Sequence, residues 1–130
     1  MGSAAERTLR VNVMSFGFKY GIPAEADMVL DVRFLPNPYY VAELKEKTGM
    51  SREVYNYVFG HSVARELLKR LRDFLAFLLP QYVEEGKHTL TIAVGCTGGK
   101  HRSVAVARAL TDAVKALGHR AELVNRDIDK

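Results

Sequence analysis

The stretch Gly95-Cys96-Thr97-Gly98-Gly99-Lys100-His101-Arg102-Ser103 constrains this chain more than any other. It follows a strand-like run over residues 89–94 that alternates and then turns apolar. It precedes an alanine- and valine-rich run over residues 102–117, helical in its spacing and closed by Gly118. A strand, a glycine-rich loop and a helix in that order let main-chain N–H groups converge on one point, where the first helical turn adds its own unpaired amides and the positive end of its dipole. Lys100 and Arg102 add full charges, and Arg102 brings a planar fork suited to two oxygens. The combination points to an oxyanion, phosphate or sulfate, before any other residue is considered.

The rest of the chain reads as a frame for that loop. Residues 9–16 alternate, with Leu9, Val11 and Val13 against Arg10 and Asn12, and residues 28–34 are apolar apart from Asp31 and Arg33; both are expected strands. Gly17, Gly21 and Pro23 break the chain between them and place Phe18, Lys19 and Tyr20 in a loop, while Pro36 and Pro38 end the second strand. A weaker helical stretch, 41–59, is interrupted at Gly49, after which Ser51 is a candidate N-cap. Residues 62–79 give the most regular helix, with Val63, Leu67, Leu68, Leu71, Phe74, Leu75 and Leu78 on one side and an extension past Pro80 to Gly86. Residues 121–124 supply a last strand. Tyr55, Tyr57, Phe59, Phe74 and Phe77 recur at helical spacing and are expected in the core rather than as a base-stacking platform. The order of elements predicts an α/β fold, a single mainly parallel sheet flanked by helices. Residues 1–10 read as a tail or the start of the first strand, and 11–130 as one domain.

With 130 residues, 48% of them hydrophobic, the chain can bury a core without covalent or metal staples. One cysteine and four scattered histidines exclude an internal disulfide and a zinc module. Nineteen lysines and arginines against fifteen acidic residues give a net charge of +4, which favours an anionic partner, yet the charges are too dispersed for a polybasic membrane anchor. No apolar run approaches the ~18 residues of a membrane span. No secretory signal is evident, so a cytoplasmic location is expected.

Three chemistries fit the loop to different degrees. As a Walker A site it is one residue short between Gly95 and Gly99-Lys100, and His101 stands where a magnesium-binding hydroxyl belongs. As a cysteine phosphatase loop it matches C-x5-R-S through Cys96, Arg102 and Ser103. A thiolate held by the amide cradle would attack a phosphate gripped by Arg102, with Asp31 or Asp127 as the acid for the leaving oxygen. A non-catalytic phosphate receptor asks least of the residues and is the leading reading, with Cys96 as a small buried residue and His101 placed to donate to the anion.

Four stretches carry a resemblance: SFGFKYGIP (15–23), ADMVLDVRFLPNPYY (26–40), TGM (48–50) and TIAVGCTGGKHRSVAVA (91–107). In these the chain resembles the C-terminal domain of the RapZ family of bacterial RNase adaptor proteins, over about residues 12–127. Typical full-length members also carry an N-terminal P-loop domain, which this sequence does not include. The resemblance implies a sensor of glucosamine-6-phosphate or a related amino-sugar phosphate, without a cofactor. In some members it implies a structured small RNA and an endoribonuclease as partners, and self-association.

Carried over residue by residue, Thr97, Gly98, His101 and Arg102 match the family's anion site, joined by Lys19 and by the neighbouring Cys96, Gly99, Lys100 and Ser103. Asp31, Arg33 and Asn37 match the second, sugar-facing wall. Tyr39 stands where many relatives have histidine, and the terminal NRDIDK lacks the basic tail of RNA-presenting members.

Overall fold

A computed structural model describes residues 8–130. Four strands, β1 (Arg10–Gly17), β2 (Met28–Asp31), β3 (Thr89–Cys96) and β4 (Arg120–Asn125), form one sheet in the order β2-β3-β1-β4. Every neighbouring pair is parallel. Three helices complete the fold: α1 (Arg52–Phe59), α2 (Ser62–Glu85) and α3 (Arg102–Ala116). The α/β class expected from the order of elements is the class found. The tail expected at the N-terminus lies outside the described residues up to residue 7, whereas Leu9 is fully buried in the core.

Strand alternation decides which face of the sheet meets the helices. The register places Val11 beside Leu90 and Ala121, and Val13 beside Ile92 and Leu123. These rows form the core with Leu71, Leu75 and Leu79 of α2 and Val106, Leu110 and Val114 of α3. Each such aliphatic side chain contributes about 1.5–3 kcal/mol when fully buried. The opposite rows leave Val29 and Val124 exposed, although Phe16 and Ala93 on them are buried. No helix of the described residues is long and apolar enough to cross a membrane.

Several boundaries differ from the sequence expectation for local reasons. β2 stops at Asp31, three residues early, because the Asp31 carboxylate accepts from the Arg33 amide and Leu35 N–H turns back to Val32 O. The stretch 41–50 forms turns rather than helix, and α1 begins only after Ser51, whose Oγ accepts from Val54 N–H. α2 runs through Pro80 to Glu85 and is capped by Gly86 in the left-handed conformation. Phe74 and Phe77, expected in the core, are 46% and 64% exposed. The Leu71, Leu75, Leu79 stripe already faces the core, and both rings project away from it. Tyr55, Tyr57 and Phe59 do pack, half-buried, against the core.

Candidate anion-binding site

The carboxyl ends of β1 and β3 lie side by side, Gly17 opposite Cys96, so the chain leaves both strands at one edge of the sheet. Ligands of open parallel sheets bind at this edge. The turn between β3 and α3 is clamped there from two directions. On the β1 side, Lys19 N–H donates to Thr97 O, and a Cβ on Gly17 would lie 2.5 Å from the Gly98 carbonyl carbon. Gly99 adopts φ +79° and approaches so closely that a Cβ would stand 2.6 Å from Gly17 N; only glycine fits both demands. On the other side, Gly49 N–H donates to Lys100 O at 2.8 Å, and Gly49 abuts the first turn of α3.

Inside this clamp the loop's own donors stay available. Among the described residues, no main-chain amide from Gly98 to Arg102 donates a hydrogen bond. Gly98 has nothing within 4 Å of where a Cβ would sit. It borders a cavity of about 350 Å³ lined by Lys19, Asn37, Tyr39, Tyr40, Cys96, Thr97, Gly98 and Arg102.

Arg102 has two tasks in this cavity. Its side chain is buried, and Nη1 donates to Arg33 O at 2.6 Å and Leu35 O at 3.1 Å. Nη2 reaches Thr97 Oγ1 at 3.4 Å, and Nε is buried without a partner. The fork expected to hold two ligand oxygens is therefore half committed to main-chain carbonyls of the β2–α1 connection, which leaves the Nε edge to seek an acceptor.

Lys19 is the middle residue of a short 3₁₀ turn, Phe18–Tyr20, its ammonium 5.3 Å from the Tyr20 ring centroid. A second 3₁₀ turn, Pro38–Tyr40, carries the tyrosines and is started by Asn37, whose Oδ1 accepts from Tyr39 N–H. The Tyr39 and Tyr40 rings meet edge-on with centroids 5.5 Å apart, and the Lys45 ammonium lies over the Tyr39 ring, 4.8 Å from its centroid.

Of the residues singled out in the sequence, Lys19, Asn37, Tyr39, Cys96, Thr97, Gly98 and Arg102 line one cavity. Gly99, Lys100, His101, Ser103, Asp31 and Arg33 do not line it. His101, expected to donate to an anion, is buried on the far side of the loop with Nε2 3.0 Å from Lys45 O. Burial holds its pKa below the usual histidine value, and the neutral ring uses its N–H on that carbonyl. Ser103 Oγ accepts from the Cys96 thiol at 3.1 Å inside the core. Asp31 is forked by Arg33 at 2.9 and 2.6 Å, and this guanidinium, itself 4.0 Å above the Phe18 ring, holds the carboxyl down at about 2.

Asp127, the other carboxylate considered as an acid, is fully buried behind Gly17, whose N–H it accepts at 2.8 Å. Burial opposes its charge, yet Arg126, the Gly17 amide and Lys130 prevail and hold it at about 2. Among the described residues no carboxylate lines the cavity, so neither Asp31 nor Asp127 stands there as the acid that the C-x5-R-S phosphatase chemistry would use. Tyr40, which the sequence reading passed over, is an additional lining residue; its position directly after Tyr39 in the proline turn was the available signal.

Fold and cavity together define a class: a one-sheet parallel α/β domain with a glycine-loop pocket at the carboxyl edge. The chain belongs to the RapZ C-terminal domain family, whose model matches residues 9–129. It is 55% identical over 126 residues to a nucleotide-binding protein of Caldicellulosiruptor saccharolyticus, covering 97% of this chain and 43% of that protein. It is 51% identical to one of Clostridium novyi over 125 residues, covering 96% of this chain and 42% of the relative. A third, of Oleidesulfovibrio alaskensis, is 53% identical over 123 residues, with 95% and 42% covered. The chain therefore spans less than half the length of these curated relatives.

Proposed function

We propose that this domain is a receptor for a phosphorylated small metabolite, with glucosamine-6-phosphate or a related amino-sugar phosphate as its ligand. One observation carries the reading: the buried Arg102 guanidinium, its Nε unpartnered, shares a cavity with Lys19 and with Gly98, whose amide donates no hydrogen bond. Two cations and a main-chain donor suit a phosphate dianion. The phosphate lies over the glycine loop, and the sugar extends towards Asn37, Tyr39 and Tyr40. Asp31 and Arg33, paired with each other outside the cavity, are not needed for ligand contact. Recognition of the amine falls instead to the Tyr40 ring, 82% exposed, through cation–π attraction.

The name nucleotide-binding protein belongs to relatives more than twice as long, and a volume of about 350 Å³ suits one phosphate and one sugar ring. Calorimetric titration with glucosamine-6-phosphate, glucose-6-phosphate and ATP tests the assignment. Saturable heat with the amino sugar and weaker binding of the other two support it; equal heats for all three, or none, refute it. Structured RNA, an endoribonuclease and a second copy of the chain are the partners that family membership suggests. A gel shift of structured RNA that weakens steeply with salt is the corresponding test for the first.

A further inference from the structure

One thiol is found among the residues lining the cavity. Cys96 is the only cysteine of the chain; it is almost entirely buried and is among the residues that line the cavity. Its thiol donates to Ser103 Oγ at 3.1 Å, so the sulfur is held in a fixed place at the end of β3. Facing the same space is Arg102, only 4% exposed, with its buried Nε lacking any partner. A guanidinium among the lining residues favours an oxygen ligand in this space. Lys19 adds a second cation, and among the described residues no carboxylate lines the space to offset either. A small molecule that carries a negative charge is therefore drawn to within reach of the sulfur, whereas an uncharged one of the same size is not.

We propose that Cys96 is a covalent modification site for small anionic electrophiles, reached through the cavity, and that its modification and phosphate occupancy exclude each other. The exclusion rests on the phosphate reading given above; the charge preference does not. With an α-halo acid such as iodoacetate, the thiol gives its proton to solvent and the sulfur attacks the methylene carbon. A C–S bond forms as the C–I bond breaks, and iodide leaves with the electron pair. The product is a carboxymethyl thioether whose carboxylate lies beside Arg102, and no oxidant or reductant takes part.

The test follows labelling of the full chain by intact mass with iodoacetate and with its neutral analogue iodoacetamide, using the chain unfolded in denaturant as the reference for intrinsic reactivity. Folding is expected to raise the preference for iodoacetate about tenfold over that reference. Lys19→Ala, an exposed position, is expected to lower the preference severalfold, and saturating inorganic phosphate to slow labelling. A folded-state ratio equal to the unfolded one, or no labelling of Cys96 by iodoacetate in the folded chain, overturns the proposal. The two readings separate cleanly. Loss of charge preference while calorimetry still detects phosphate binding sinks the Cys96 site alone. A retained preference without any slowing by phosphate upholds Cys96 as the site of modification and overturns the exclusion together with the phosphate reading.

Discussion

Nη1 of Arg102 lies 2.6 Å from the main-chain oxygen of Arg33, so the first residue of α3 holds the connection that follows β2. The same side chain lines the cavity. On the proposed reading, ligand affinity and the anchoring of the β2–α1 connection meet in one guanidinium.

Replacing Arg102 should therefore harm both properties. Arg102→Ala leaves the carbonyls of Arg33 and Leu35 without their donor, and a loss of about 2–4 kcal/mol in stability is expected from hydrogen bonds to a charged group. Arg102→Lys keeps the charge but not the fork, and should recover part of the affinity with less of the stability. Denaturant unfolding beside phosphate titration separates the two effects. An alanine variant of unchanged stability would remove the structural half of this role.

The loop glycines should divide by environment. Gly98→Ala meets open space and a permitted backbone, so stability should change by less than about 0.5 kcal/mol, while the added methyl enters the cavity and weakens phosphate binding. Gly99→Ala combines positive φ with a 2.6 Å approach to Gly17 N and should cost about 1–3 kcal/mol or more. Thermal melts of the two variants check the contrast, and similar melting temperatures would contradict it.

Lys19 lines the cavity from an exposed position without an ion-pair partner in the described residues. Lys19→Ala should lower phosphate affinity roughly tenfold, about 1.4 kcal/mol, with stability kept within about 0.5 kcal/mol. The difference between wild type and variant should shrink as salt is raised. Calorimetry at two ionic strengths gives the answer; identical affinities at low salt would place the anion elsewhere.

Acid should weaken the fold in two windows. Burial lowers the folded pKa of His101 below 6.5, so the unfolded chain takes up a proton first and stability falls as pH drops below that value. Asp127 is held at about 2 against 3.8 unfolded, and its stabilisation, about 2 kcal/mol before any discount, is present above pH 3.8 and lost as pH falls towards 2. Asp127→Asn should reduce the loss in the lower window, to which Asp31 also contributes, and His101→Gln should reduce that in the upper one, to which His119, likewise lowered by burial, contributes. Unfolding free energies measured between pH 2 and 7 provide the comparison.

Much of this arrangement was legible in residue order because its signals are local. The alternation of Leu9, Val11 and Val13 and the apolar run ending at Val94 marked strands, and the glycines before Arg102 marked the turn between strand and helix. The carboxyl edge of a parallel sheet follows from that order, and the loops carrying Lys19, Asn37 and Gly98 leave the strands there.

What residue order did not reveal depends on long-range geometry. His101 faces Lys45 because the Gly49 turn presses on the outer side of the loop, a contact spanning 56 positions. Asp31 turns to Arg33 two residues away rather than to a ligand. Phe74 and Phe77 satisfy helical spacing, but α2 needs only one narrow leucine stripe against the sheet, and periodicity does not say which of two stripes that will be.

Amide resonances report most directly on the proposed seating of an oxyanion against the Gly98 amide, Lys19 and Arg102. Nuclear magnetic resonance of the nitrogen-15-labelled chain, titrated with inorganic phosphate and then with glucosamine-6-phosphate, should show saturable shifts for Gly98, Gly99, Lys100, His101 and Arg102, while residues in the middle of α2 stay in place. Shifts that never saturate, or that centre on residues away from this loop, would contradict the account.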